Sequence, residues 1–89
     1  MVWRIEIVEP ALKSLRKLDR QTADRILKFL NERLAKLEDP RTLGEALHGE
    51  RFGESWKYRV GDFRIIAKIE DHRVVVLVVR VGRRPEVYR

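Results

Sequence analysis

Residues 56–69 read WKYRVGDFRIIAKI, and how this stretch folds decides the architecture. Two runs rich in aromatic and β-branched residues flank Gly61-Asp62, a pair suited to a tight reversal between antiparallel strands. Side chains alternate along a strand, so Trp56, Tyr58 and Val60 share one face while Lys57 and Arg59 share the other. On the second strand Phe63, Ile65, Ala67 and Ile69 oppose Arg64, Ile66, Lys68 and Glu70. An apolar face turned to a core is ordinary. A facing surface that gathers Lys57, Arg59, Arg64 and Lys68 is not, because like charges on neighbouring strands repel and stability alone favours alternating signs. A single cation on a strand is explained by protection against aggregation. Convergence from separate segments predicts an anionic guest, with phosphate the best match to guanidinium forks.

The neighbouring segments supply the rest of the sheet and its cover. Residues 73–81, RVVVLVVRV, are apolar in both phases and belong near the sheet centre; Asp71-His72 reads as a second tight turn before them. Residues 2–8 alternate, with Trp3, Ile5 and Ile7 on the buried side, and predict an N-terminal strand. Pro10 opens a helix from about 10 to 18 in which Leu12, Leu15 and Leu18 recur at helical spacing. Asp19 caps a second helix, 22–38, whose stripe is Ala23, Ile26, Leu27, Leu30, Leu34 and Leu37 and whose surface carries a Glu32 and Lys36 pair. It ends at Asp39-Pro40, since the residue before a proline is pushed out of the helical region. Residues 41–55, RTLGEALHGERFGES, read as a loop or short helical turn that carries Leu43 and Leu47 inward. The expected fold is α+β: one small domain over residues 1–89, an N-terminal strand, two antiparallel helices, then a three-stranded antiparallel meander completing a four-stranded sheet.

Composition narrows the chemistry. The chain has 89 residues and no Cys, and its two histidines, His48 and His72, are isolated in predicted loops; no metal and no cofactor is expected. The N-terminal run MVWRIEIVEP lacks a signal-peptide pattern, and no segment reaches the roughly 20 apolar residues of a membrane span, so a soluble cytoplasmic protein is expected. The formal charge of +6 is uneven: residues 1–50 carry ten Lys or Arg against nine Asp or Glu, residues 51–89 ten against five. The positive field therefore belongs to the strand-rich half, which favours a polyanion as partner. Trp3 and Trp56 lie in the apolar phase of their strands and read as core rather than as stacking platforms. Lys13, Arg16 and Lys17 form a basic run on the first helix, either an auxiliary contact to the polyanion or a solvated helix face. Arg83 and Arg84 are expected to reach the rim of the cationic face.

With these residues in view, the order strand, two helices, three strands, together with WKYRVGDFRIIAKI and VVVLVVRVGRRPEVYR, resembles the RelE branch of the RelE/ParE toxin superfamily. The likeness rests on R-x-G-D-[FY]-R, an apolar strand, and V-G-x-R followed by E-V-Y-R. It implies the toxin half of a type II toxin-antitoxin pair, an endoribonuclease that enters the ribosomal A site and cuts messenger RNA there without a metal. Matched residue by residue, it places Lys57, Arg59, Arg64, Arg84 and Tyr88 in the catalytic site; the charge pattern, rather than the match, adds Arg83, Lys68, Lys13, Arg16 and Lys17 as RNA contacts. It also implies an acidic, partly disordered RelB-like antitoxin, the ribosome and its message as partners, and a free toxin that is a monomer. Better-studied RelE sequences have lysine where Arg59 stands, and arginine does not give up its proton at working pH. The rival implied by the same superfamily is a ParE-like, non-enzymatic inhibitor of DNA gyrase, or a basic binding module with weakened catalysis.

Overall fold

The computed structural model describes residues 2–47 and 54–83. Five strands form one sheet: β1 (Arg4–Ile7), β2 (Glu45–Leu47), β3 (Ser55–Val60), β4 (Phe63–Glu70) and β5 (Val75–Arg83), in the order β1-β5-β4-β3-β2. β5 runs parallel to β1 and antiparallel to β4, and β2, β3 and β4 pair antiparallel in turn. The doubly apolar β5 is therefore an interior strand, flanked by β1 and β4, as its composition requires. The sheet has one strand more than the expected four, because residues 45–47 form a short edge strand on β3 rather than a loop.

Two helices cover one face. α1 (Glu9–Arg16) starts with Pro10 in its first turn, where the missing N–H leaves nothing unpaired, and buries Ala11 and Leu15. α2 (Arg20–Lys28) is capped by Asp19, whose carboxylate accepts the Thr22 N–H at 3.1 Å and the Thr22 hydroxyl at 2.6 Å. Those bonds, the hydroxyl's first, hold the Asp19 carboxyl below its usual range. The expected helix over 22–38 is not α throughout: a π turn (Phe29–Arg33) and a 3-10 turn (Leu34–Lys36) follow before the chain extends at Leu37. Ile26, Leu30 and Leu34 stay fully buried, but Leu27 lies at the edge of the stripe and is 36% exposed. Glu32 and Lys36 form no ion pair, since the change of helical pitch between them removes the α-helical i,i+4 alignment.

These helical residues meet Tyr58, Ile65, Ala67, Val76, Val78 and Val81 in the main core, with Ile5, Ile7, Trp56 and Phe63 packed around it. Trp3 is buried there, and its indole N–H donates to the Glu38 carbonyl at 3.2 Å. At the β3–β4 hairpin Gly61 takes the positive φ of 58° that a two-residue turn demands. The β4–β5 connection is longer than the expected Asp71-His72 turn: a 3-10 turn over Asp71–Arg73 is closed by Val74 in the left-handed region at φ 53°. A β-branched residue there is strained, and the Val74 carbonyl accepts the Arg4 N–H at 2.9 Å, which ties the turn to the entry of β1.

Candidate nucleic-acid interface

Strand register defines the second face of the sheet. Glu45 lies opposite Lys57, Lys57 opposite Ile66, and Ile66 opposite Arg80, so these four residues form one row across β2, β3, β4 and β5. In the next row Arg59 faces Arg64, and Arg64 faces Gly82. Lys68 faces Leu77, which in turn faces Glu6 of β1. Direct neighbours of this kind hold their Cβ atoms about 5 Å apart. Lys57, Arg59, Arg64 and Lys68 thus gather on the face away from the helices, as the alternation of WKYRVGDFRIIAKI predicts.

The surface is not bare, however. Ile66 and the polar Ser55 are buried on it, so the cations surround buried side chains rather than stand on open sheet. Among the described residues no carboxylate lies within ion-pair distance of Arg59, Arg64 or Lys68; Arg64 makes one long bond, Nη1 to the Phe63 carbonyl at 3.4 Å. Lys57 differs from these three. Its Nζ is 3.3 Å from the Glu45 carboxylate, with Glu45 77% and Lys57 28% exposed. Exposed pairs of this type are worth about 0–1 kcal/mol, so a phosphate can displace Glu45 from Lys57. Nothing in the sequence marked Glu45, because a three-residue edge strand has too short an alternation to read.

β5 contains the other departure. Ile66 pairs with Arg80 but Ala67 pairs with Val78, leaving Val79 as the extra residue of a β-bulge. Val76 and Val78 point to the helices before it and Val81 after it, so the phase of the strand changes. Arg80 consequently shares the face of Lys57 and Arg64, whereas Arg83 shares that of Phe63. The Arg83 guanidinium sits 5.7 Å from the Phe63 ring centroid and lines clefts with Lys17 and Arg25. Arg83 is therefore not at the rim of the cationic face but on the helix side. Lys13 and Arg16 are also on that side, on α1, which packs against β5, with Lys17 at the helix end; Arg16 is paired with Glu9 at 3.3 Å. The structure brings together Lys57, Arg59, Arg64, Lys68 and Arg80, and separates Lys13, Arg16, Lys17 and Arg83 from them. Arg84, Tyr88 and His48 lie outside the described residues.

The strands that carry the cations are fixed from behind. Tyr58, between Lys57 and Arg59, is buried with its hydroxyl donating to the Pro40 carbonyl at 2.9 Å. Arg41 donates two bonds to the Asp71 carboxylate, at 3.0 and 2.6 Å, and lies 6.0 Å from the Trp56 ring centroid, tying the segment before β2 to the β4–β5 turn. The Arg41 bond holds the Asp71 carboxyl below the usual carboxylate range. Gly44 leads into β2 so close to Tyr58 that a Cβ there would stand 2.8 Å from the ring's Cε1 and 3.2 Å from the Lys57 carbonyl oxygen. The Gly44→Ala variant is expected to lose about 1–3 kcal/mol of stability in a denaturant titration, as for other insertions into packed sites. A midpoint unchanged from the parent would show that β2 swings freely and does not hold Glu45 in register.

Comparison with known proteins agrees with this geometry. A family model described as the ParE toxin of type II toxin-antitoxin systems matches residues 5–88. Over 90 aligned residues the chain is 34% identical to the mRNA interferase toxin RelE of Escherichia coli, covering 99% of this chain and 92% of that protein. A solved structure of mutant E. coli RelE in the free state superposes with a TM-score of 0.75 at 31% identity, covering 99% of this chain and 92% of the other. The toxin-antitoxin complex RelBE2 of Mycobacterium tuberculosis shares the fold, with a TM-score of 0.84 over 94% of this chain and 93% of that one at 24% identity. The chain belongs to the RelE/ParE superfamily of type II toxins, on its RelE branch.

Proposed function

We propose that residues 1–89 form one RelE-like toxin domain that acts as a cytoplasmic, ribosome-dependent endoribonuclease, cutting messenger RNA in the A site and thereby stopping translation. The observation that carries this reading is the convergence of Lys57, Arg59 and Arg64 from β3 and β4 on one face. The 34% identity to an mRNA interferase supports it. Attack of a ribose 2′-OH on the adjacent phosphate requires in-line geometry, loss of one proton, stabilisation of a more negative phosphorane and protonation of the leaving 5′-oxygen. Arg59 and Arg64, side by side across the hairpin, meet the third requirement with donors preset for phosphate oxygens. Arg84 joins them by its match to the V-G-x-R segment, and Tyr88 stacks on a base or orients the phosphate. Lys57 is the candidate base among the matched cations, since the others are arginines, which remain charged. The ribosome supplies the attack geometry that so sparse a site does not impose by itself.

Solved relatives are described as complexes of RelE with RelB, in Pyrococcus horikoshii and in E. coli among others. The same reading gives this chain, a monomer when free, an acidic RelB-like antitoxin whose carboxylates answer the cationic face. Among the described residues no helix is long and apolar enough to cross a membrane.

The test adds purified protein to programmed 70S ribosomes and maps the 5′ ends of the message, with a gyrase supercoiling assay in parallel. Codon-phased cuts support the nuclease. Intact message with blocked supercoiling supports instead the gyrase inhibitor that the ParE family model keeps in play. Salt provides a second measurement: with three cations on single-stranded phosphates, log affinity for a message fragment should fall against log salt with a slope near about −2. A flat response argues against a phosphate cradle.

A further inference from the structure

We propose that Arg80 is a phosphate-binding positioning residue of this interface, brought to it by the β-bulge at Val79, and that it holds the RNA phosphate next to the one flanked by Arg59 and Arg64. The proposal takes its substrate class from the nuclease reading above. Its geometry stands on the register of β4 and β5.

An unbroken β5 would keep positions 76, 78, 80 and 82 on one face. Val76 and Val78 belong to the core beneath the helices, so Arg80 would enter that core and Arg83 would emerge on the cationic face. A guanidinium beside Val78 in the core beneath the helices would have to be desolvated, at a large energetic penalty. The bulge exchanges the two arginines: Arg80 moves out beside Ile66, and Arg83 moves to the ring of Phe63. Bulges near functional sites commonly re-aim a side chain in this way.

On the cationic face the exchange has a definite result. Lys57 and Arg80 flank the buried Ile66 from the two neighbouring strands, while Arg64 and Lys68 flank it along its own strand. Arg59 and Arg64 are direct neighbours, about 5 Å apart at Cβ, and together suit one phosphate. Arg80 is diagonal to Arg64, about 7–8 Å away and one strand further on, beyond the reach of a tight pair but placed for the next phosphate of a chain crossing from β3 toward β5. It binds without touching the reacting atoms, so its contribution is equal in ground state and transition state.

The experiment measures binding of an uncleavable 2′-O-methyl oligoribonucleotide, and cutting on programmed ribosomes, for the parent, Arg80→Gln and Arg80→Lys. In Arg80→Gln the salt slope of oligonucleotide binding should be shallower by about 0.7, the value of one single-strand phosphate contact. KM for cutting should rise about tenfold, with kcat within about twofold of the parent, and Arg80→Lys should restore the slope. An unchanged slope and KM overturn the proposal. So does a fall in kcat alone, or a parent protein with no measurable oligonucleotide binding at low salt. If Arg80→Gln fails to fold, Arg80→Met, which keeps the aliphatic stem, carries the same comparison; intolerance of both assigns Arg80 to the structure and ends the proposal. A message left uncut by the parent, with the slope still shallower in Arg80→Gln, overturns the nuclease reading and leaves the phosphate contact standing.

Discussion

Arg64→Ala should lower the rate of message cutting on programmed ribosomes by about 10²–10³-fold, the usual effect of removing one preset donor from a developing oxyanion. The protein should meanwhile stay as stable as its parent. Arg64 is only partly buried, its one bond among the described residues is the 3.4 Å contact to its neighbour's carbonyl, and its cross-strand partner on β3 is Arg59, a like charge. Removing it therefore relieves repulsion, and the melting midpoint should hold or rise slightly. That combination, lost activity with undiminished stability, separates a residue kept for its chemistry from one kept for the fold. Arg64→Lys should fall between the two, because it keeps the charge but loses the planar fork. Cutting at the parent rate in Arg64→Ala would remove β4 from the site and leave the like-charge array without a purpose.

The division between what the sequence disclosed and what it hid follows strand length and phase. WKYRVGDFRIIAKI alternates over fourteen residues with a glycine at the turn, so both strands, their pairing and the face of Lys57, Arg59 and Arg64 were legible. The period-2 rule needs polar residues to mark the phase, and VVVLVV has none. Nothing there could disclose the bulge at Val79, and the exchange of Arg80 for Arg83 followed from it. Likewise Glu45 was lost in a glycine-rich segment whose strand spans three residues. The helix over 22–38 was visible as a stripe, but its change of pitch at Phe29–Arg33 leaves the apolar spacing of Ile26, Leu30 and Leu34 almost intact, so hydrophobicity alone could not reveal it. Length errors fell where turns have no glycine: Val74 accepts a left-handed conformation that no propensity favours, held there by the Arg4 N–H on its carbonyl.

Tyr58→Ala should be the most damaging single change outside the cationic face, with about 3–5 kcal/mol lost in denaturant titration, the range for truncating a buried aromatic. For 89 residues the whole stability is about 4–13 kcal/mol, so this one truncation should remove a large share of it. The reason is position. Tyr58 is 1% exposed, tilts against Phe29 at 6.1 Å between centroids, lies against Gly44, and alternates with Lys57 and Arg59, so the side chain that anchors β3 also turns both neighbours to the cationic face. Tyr58→Phe separates the ring from its hydroxyl: losing the bond to the Pro40 carbonyl should remove about 1–3 kcal/mol, with the ring packing and the cutting rate of folded molecules retained. Burial pushes the Tyr58 hydroxyl above its ordinary range. A phenol raised in the folded state contributes stability that is complete below its unfolded value of about 10 and is lost as pH climbs beyond it. The parent should therefore lose stability above about pH 10 more steeply than Tyr58→Phe, which has no phenol at position 58 to ionise on unfolding. Parallel alkaline profiles for the two proteins would mean that the Tyr58 hydroxyl reaches solvent, and with it the clamp that holds Lys57 and Arg59 in register.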